Sequence, residues 1–517
     1  MNTKYSELWA KALFAAALVS LAVYTVLLQL TPALLTVDAY YHAAVTGFIK
    51  DNGWFLRDFH WTQMSVMKNS YSDKDLLLHV LALPFAFLTS DPRWVAKAGA
   101  MVLGFSFLGA MACLFRRYLP PLLAIPALLS PFLSPLFTMY FSDFRPGTLA
   151  AIFTLLGVFF AADKKKWPLF TVGVFYSLAH LSSFTLIFFA VLAEAVRFAR
   201  DREFCRQTIL YAAAGVVAGL VIHPNFPANL LTIYINGFLT PVYALGGSNI
   251  GFAMELYSDS AKRALLGNLP VFVVFWGMLW AAWIYRPKVS FHTMVYAASA
   301  NVYFVLALLS NRFWFPALPL AVLAAASFLK DLLDQLEAEP QRRVLLTRVL
   351  LVSWFALALP LCLHNANSMD SRIKYKNNFS LSYEKAAEWM RGNIPPGETV
   401  YHSSWGDSPY LICLNPRNNY LVVLDPIYMY YWSADVYGLY QDLYEGRPNM
   451  DPYKALKEVF KTRYGLTSTK CGFYQLIKND ERFRILYNEK DIAVFKLEEL
   501  SPDSGGKPAA KATKNRR

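Results

Sequence analysis

Long apolar runs separated by short polar stretches, many of them basic, fill the first 365 residues. They fall at about 12–30, 75–90, 95–115, 119–142, 146–162, 168–199, 207–222, 269–285, 291–310, 313–329 and 347–364. A helix needs roughly 17 to 25 apolar residues to cross about 30 Å of hydrocarbon, and most of these runs have that length. The run 168–199 is about twice as long and is bracketed by Lys164, Lys165 and Lys166 and by Arg197, Arg200 and Arg202. Both its ends therefore belong on one side of the membrane, and a tight helical hairpin is predicted near Ser182 and Ser183. The run 119–142 is interrupted at Pro131 and Pro135, so it counts once or twice. The pattern predicts a polytopic α-helical membrane domain over 1–365 with about 11 to 13 spans.

Beyond about residue 366 polar and apolar positions mix. SYEKAAEWMRGN has the helical spacing of Ala386, Trp389 and Met390, IPPG ends it, and ETVYHSS and NYLVVLD read as strands. A small soluble α/β domain is predicted over 366–499. The tail 500–517 is small, basic and poor in apolar residues, which predicts disorder.

Composition agrees with a membrane solvent: 56% of the 517 residues are hydrophobic, 16% are charged, and the mean hydropathy is +0.31. The net charge of +13 does not point to nucleic acid, because Lys and Arg gather at the ends of apolar runs. That pattern makes the N-terminus cytoplasmic behind a retained signal anchor, and an odd span count then leaves the C-terminal domain extracytoplasmic. Arg116 and Arg117 fit this count poorly, since it places them outside. The expected location is a cell inner or plasma membrane. Of the five cysteines, only Cys413 and Cys471 are placed to form a structural disulfide.

Polar residues concentrate where spans reach the outer face. Asp38, with Tyr40, Tyr41 and His42, follows the first span. An acid at a membrane boundary suits a general base or a metal ligand, and a helix N-cap is the plainer reading. Asp73, Lys74, Asp75 and His79 stand at the mouth of the next span. SDFRPG supplies Asp143 and Arg145, as a salt bridge or as chemistry. Arg312 sits between two spans, where it either snorkels or binds a phosphate. His180 lies near the predicted hairpin tip. A long outer loop from His223 to about residue 265 carries Glu255 and Asp259 and reads as a lid or a static cover. The aromatic run from Ile427 to Gly446 reads as a surface for sugar rings or as packing against the membrane surface.

Taken together these segments resemble the GT-C superfamily of glycosyltransferases, which use polyprenyl-linked sugar donors. VDAYYHAAVTGFIKDNG is similar to the segment of oligosaccharyltransferase catalytic subunits that bears their first acidic motif, with Asp38 matching its acid. YFSDFRPGTLA is similar to the surroundings of their second motif, Asp-x-Asp, although only Asp143 is kept and Arg145 stands at the second acid. AAEWMRGNIPPGETVYHSSWGDSPYL looks like the start of their soluble domain, with Trp405 and Asp407 as partial matches to its acceptor-holding motif. Arg312 is similar to the arginine those enzymes place near the lipid phosphate.

The resemblance implies transfer of a sugar from a polyprenyl-linked donor to a glycan, lipid or protein acceptor, with inversion. It makes Asp38 and Asp143 the catalytic or metal-holding acids, with Mg or Mn as the expected divalent cation. The expected donor-phosphate residues are Arg312, from the resemblance, and Arg145; the expected acceptor-binding ones are Trp405 and Asp407, from the resemblance, with His42, Asp75 and His79 from the outer-face clusters. Protein mannosyltransferases and the lipid A aminoarabinose transferase share the layout, and several work without a metal. Two other classes stand beside the enzyme: a flippase or transporter of lipid-linked glycan, which calls for ionisable groups at the bilayer midplane, and a non-catalytic subunit, which the missing second acid favours.

Overall fold

The computed structural model describes residues 3–285, 288–448 and 450–499. The tail 500–517 and Arg286, part of the basic loop used to count spans, lie outside the described residues. The fold is mostly helical. Six helices are long and apolar enough to cross a membrane: Tyr5–Leu28, Pro92–Tyr118, Leu181–Asp201, Phe291–Leu309, Asn311–Gln335 and Pro340–Asn393. Two further segments are bent pairs, Pro121–Leu133 with Pro135–Phe141 at 90°, and Ala261–Gly267 with Phe272–Trp283 at 85°. The second piece of the first pair has seven residues and rises only about 10 Å, so the run 119–142 does not supply two crossings.

Polar contacts sort the helix ends into two sets. At one end Arg117 pairs with Asp163 (3.2 Å), Lys164 with Glu203 (3.3 Å), Arg200 donates to the Val289 carbonyl (3.2 Å), and Gln335 donates to the Lys288 carbonyl (3.1 Å). At the other, Lys97 donates to the Thr31 carbonyl (2.5 Å), Gln29 to the Ser142 carbonyl (2.7 Å) and Ser310 to the Glu255 carbonyl (3.0 Å). Arg93 joins this second set through Glu384 at 3.0 Å.

The run 75–90, expected to be a span, differs. Its helix, Leu76–Leu88, has 13 residues and rises about 20 Å. Both its ends lie with the second set, because His79 bonds His42 (3.0 Å) at its start and Arg93 reaches Glu384 just after its end. It packs beside helix Val37–Asn52 with Phe87 and Leu88 largely exposed, as an amphipathic helix lying along an interface does. With this run off the list of crossings, Arg116 and Arg117 join the other basic ends.

The doubled run 168–199 divides into helices Lys166–Ala179 and Thr185–Asp201, broken at His180, whose backbone is extended. Lys166–Ala179 packs closely on Arg206–Ile222 because glycine lines the seam. A Cβ on Gly173 would lie 2.8 Å from the Val216 nitrogen, one on Gly215 2.3 Å from the Phe170 carbonyl oxygen, and one on Gly219 2.5 Å from that of Val174. Small residues let backbones approach where lipid offers no hydrophobic drive.

The change of composition near 366 falls inside one continuous helix of 54 residues, Pro340–Asn393, about 80 Å long. It leads into a four-stranded sheet of β1 (Val400–His402), β2 (Tyr464–Ser468), β3 (Phe483–Glu489) and β4 (Ile492–Leu497) in the order β1-β2-β4-β3. β1 and β2 are parallel and the other pairs antiparallel. The predicted strand NYLVVLD does not join the sheet. Its buried backbone pairs with the first outer loop, Tyr420 with Trp61 (2.6 Å) and Gln63 (2.8 Å) and Leu421 with Met64 (2.8 Å), while His402 Nε2 accepts the Leu421 N–H (3.1 Å). Cys413 and Cys471 are free thiols, Cys413 buried and Cys471 bonded to Thr467.

Replacing Gly215 with Leu should lower the thermal midpoint in detergent, by an overpacking cost of roughly 1–3 kcal/mol, because the obstructing atoms are backbone. Gly109, with nothing within 4 Å of an added Cβ, should tolerate Ala. Equal midpoints for both variants would refute the seam.

Candidate active site

The site forms where helix Val37–Asn52 lies between the bundle and the sheet-bearing region. Tyr40 fixes one side: its ring lies 4.7 Å from Tyr410, which stacks on Tyr383 at 4.5 Å, and its hydroxyl reaches Glu384. His42 fixes the other through a buried chain in which His42 Nδ1 meets His79 Nε2 at 3.0 Å and His79 Nδ1 meets Asp73 at 2.7 Å. An ionised Asp73 accepts, so His79 donates from Nδ1 and accepts at Nε2 from His42. Burial, and next the His79 ring, hold the His42 pKa well below the usual imidazole range. His42 stands one turn after Asp38, so the chain sets the helix face that presents Asp38.

Asp38 is not the N-cap. Thr36 holds that position, and its hydroxyl donates to Asp143 Oδ2 at 2.5 Å instead of capping the helix. Asp38 lies in the first turn with its side chain 34% exposed and meets Arg145 Nη2 at 3.2 Å. The same nitrogen lies 3.1 Å from Glu255 Oε2, and Arg312 Nη2 lies 3.0 Å from Glu255 Oε1. Tyr140 donates to Glu255 (3.0 Å) and presents its ring to the Arg145 guanidinium at 4.4 Å. Two carboxylates and two guanidiniums thus form one network at the mouth of the bundle. Burial opposes ionisation of Glu255, but Arg145 and Arg312 outweigh it and hold its pKa low.

Glu255 belongs to the outer loop, which is clipped down at Gly251: Trp405 Nε1 donates to its carbonyl (2.9 Å) and its N–H donates to the Tyr437 hydroxyl (2.9 Å). Asn236 donates to the Tyr428 hydroxyl (2.8 Å), and Tyr243 packs on Tyr430 at 5.5 Å. The aromatic run therefore packs against this loop, with Tyr431 and Trp432 about half exposed.

Solved structures of two other proteins share this fold. The Archaeoglobus fulgidus oligosaccharyltransferase matches with a TM-score of 0.61 at 14% identity, over 88% of this chain and 70% of that one. Cupriavidus metallidurans ArnT matches at 0.59 and 14% over 93% and 97%, and its complex with undecaprenyl phosphate at 0.58 and 13% over 96% and 98%. The chain has the GT-C fold. No protein-family model and no curated protein sequence matches it.

Within this GT-C fold, Asp38, Arg145 and Arg312 come together, and Asp143 joins them through Thr36. Glu255 was read from the sequence only as part of the loop, since no local pattern announces a contact 110 residues from Arg145. Asp143 and Arg145 do not form the simple salt bridge anticipated, because the guanidinium turns to Asp38 and Glu255.

The residues expected to hold an acceptor have internal partners. His42 and His79 are spent on each other and on Asp73, and Asp75, 1% exposed, pairs with Lys74 at 2.6 Å. Trp405 fastens the outer loop, and buried Asp407 accepts from Tyr383 and from the Ser404 N–H. A divalent cation does not fit the anticipated site: the Arg145 guanidinium occupies the Asp38 carboxylate and puts positive charge where a second acid would stand. An oligosaccharyltransferase structure with Zn and sulfate belongs to the same comparison set.

Asp143 is 1% exposed and its Oδ1 has no hydrogen-bond partner. Burial pushes its pKa from 3.8 up to about 7, against the pull of Arg145 and the Thr36 hydroxyl. A raised acid costs stability as pH climbs from its unfolded to its folded value, and in full above that. Asp143→Asn should therefore match wild type in thermal unfolding near about pH 4 and exceed it near about pH 8. A midpoint difference constant with pH would contradict the raised value.

Proposed function

We propose that this chain is a membrane glycosyltransferase that moves a sugar from a polyprenyl-linked donor to an acceptor at the outer face. The observation that carries the reading is the network of Asp38, Arg145, Glu255 and Arg312, gathered at one end of a bundle with the GT-C fold. Arg145 and Arg312 are suited to a lipid phosphate, because a guanidinium presents several donors in one plane. Asp38, about one third open to solvent and oriented by Arg145, is placed to take the acceptor's proton. The acceptor atom then bonds to the anomeric carbon, the bond from that carbon to the phosphate oxygen breaks, and the departing phosphate charge is met by the guanidiniums. These residues do the work without a step through a metal. ArnT in complex with undecaprenyl phosphate and an oligosaccharyltransferase tethered to an acceptor peptide support the two substrate classes by fold.

The topology we infer has eleven crossings: the six long helices, the two bent pairs, and Pro146–Ala162, Lys166–Ala179 and Arg206–Ile222. Helix Leu76–Leu88 lies along the outer interface. The basic ends then face the cytoplasm and the sheet-bearing α/β domain lies outside, with the domain limits of 1–365 and 366–499 marking change of environment along the long helix. An impermeant thiol reagent should label Lys478→Cys, at an exposed position, in intact cells. Labelling only after lysis would reverse the topology.

Asp38→Asn should keep a thermal midpoint close to wild type, since the ion pair it removes is partly exposed and contributes about 1 kcal/mol or less. Sugar transfer should fall by a factor on the order of 100 or more, the general scale for losing acid-base assistance. Wild-type transfer by this variant would refute the role of Asp38 as the base, and no transfer by the wild-type protein would favour the non-catalytic reading.

A further inference from the structure

The Arg145 and Arg312 guanidiniums already hold an anion, the carboxylate of Glu255. It meets Arg145 Nη2 with both oxygens (3.2 and 3.1 Å) and Arg312 Nη2 with Oε1 (3.0 Å), while Tyr140 donates a fourth contact. A planar anion bridging two guanidiniums and receiving a hydroxyl has the contacts a phosphate monoester or diester would take at the same place. With Asp38 on the same Arg145 nitrogen, two negative and two positive charges balance, so an incoming phosphate meets guanidiniums whose charge is already countered.

The backbone beneath Glu255 is fastened independently of its carboxylate. Its carbonyl accepts from Ser310 Oγ (3.0 Å), the Asn311 N–H donates to the Tyr257 carbonyl (3.0 Å), and Gly251 is held from both sides by Trp405 and Tyr437. Ser310 and Asn311 immediately precede Arg312. The side chain can thus leave the arginines by rotating, while the loop stays where it is.

We infer that Glu255 is a positioning residue that stands in for the donor phosphate: it keeps Arg145 and Arg312 aimed at one point in the resting protein and is exchanged for the phosphate when the lipid binds. The inference rests on the donor reading above and adds a cost to donor binding, because the phosphate must displace an ion-paired carboxylate. That exchange holds two cationic side chains in register without a bound ligand, and it disfavours neutral lipids, which cannot take over the arginines.

The test uses the purified full-length protein and measures binding of undecaprenyl phosphate, with undecaprenol as the uncharged control. Glu255→Gln keeps the shape and loses the charge, so it should bind the phosphate lipid about tenfold tighter than wild type, with no change for undecaprenol. Glu255→Asp keeps the charge on a shorter arm and should fall between them, which preserves the test if Gln does not fold. Arg312→Ala should weaken phosphate binding whichever residue stands at 255. Equal or weaker phosphate binding by a folded Glu255→Gln overturns the inference. A second measurement separates its failure from that of the donor reading. Inorganic phosphate should raise the thermal midpoint of Glu255→Gln more than that of wild type. If undecaprenyl phosphate binds none of the proteins but inorganic phosphate still discriminates, the donor reading falls and the role of Glu255 stands. If inorganic phosphate does not discriminate, Glu255 is not an internal anion.

Discussion

Arg145 stands between two carboxylates at the edge of the membrane, and the parts of the protein that surround the site meet its requirements. A guanidinium cannot give up its charge at any accessible pH, and with a side chain only 14% exposed it must keep partners. Leaving such a charge unpaired costs on the order of 3–5 kcal/mol. Asp38 comes from the first outer helix and Glu255 from the long outer loop, so one residue binds two segments that are remote in sequence. Each segment is held in turn by something else. The His42, His79 and Asp73 chain sets the rotation of the first, and Trp405 and Tyr437 fix the loop through Gly251.

The sheet-bearing region is thereby part of the site without lending it a catalytic group. Its extended segment around Tyr420 divides its hydrogen bonds between the first outer loop, through Tyr420 and Leu421, and strand β1, through Asn419 and the His402 ring, since a buried backbone must find partners. The long helix Pro340–Asn393 carries the chain out of the apolar zone with no hinge, and Glu384 on it closes contacts with both Tyr40 and Arg93. Trp405 holds the loop that brings Glu255, and Asp407 accepts from Tyr383 and Ser404 in a closed turn.

Charge bears on Leu76–Leu88 more than length does, and the contacts at its two ends favour a helix along the interface over a crossing. Leu76–Leu88 is as apolar as a span, and nothing within it distinguishes a short crossing from a helix lying in the interface. The arginines on the next helix carry that information: when Leu76–Leu88 is taken as a crossing, Arg116 and Arg117 fall on the wrong side. Their discord disappears when that helix is not counted.

The sequence by itself determined the solvent, the layout and most of the chemistry at the outer face. Apolar length, basic flanks and the segments around Asp38, Asp143 and Arg312 are local features, and local features are what a chain displays directly. The tertiary structure decided which of those groups share one site. Thr36 rather than Asp38 begins the helix, because Asp38 is drawn to a guanidinium 107 residues away in the chain while Thr36 turns to Asp143. Glu255 enters, His42, His79 and Asp407 are taken up by internal partners, and Arg145 replaces the second acid with a fixed positive charge. Each of these outcomes depends on which helix ends meet above the membrane, and that is set by packing between segments far apart in the chain.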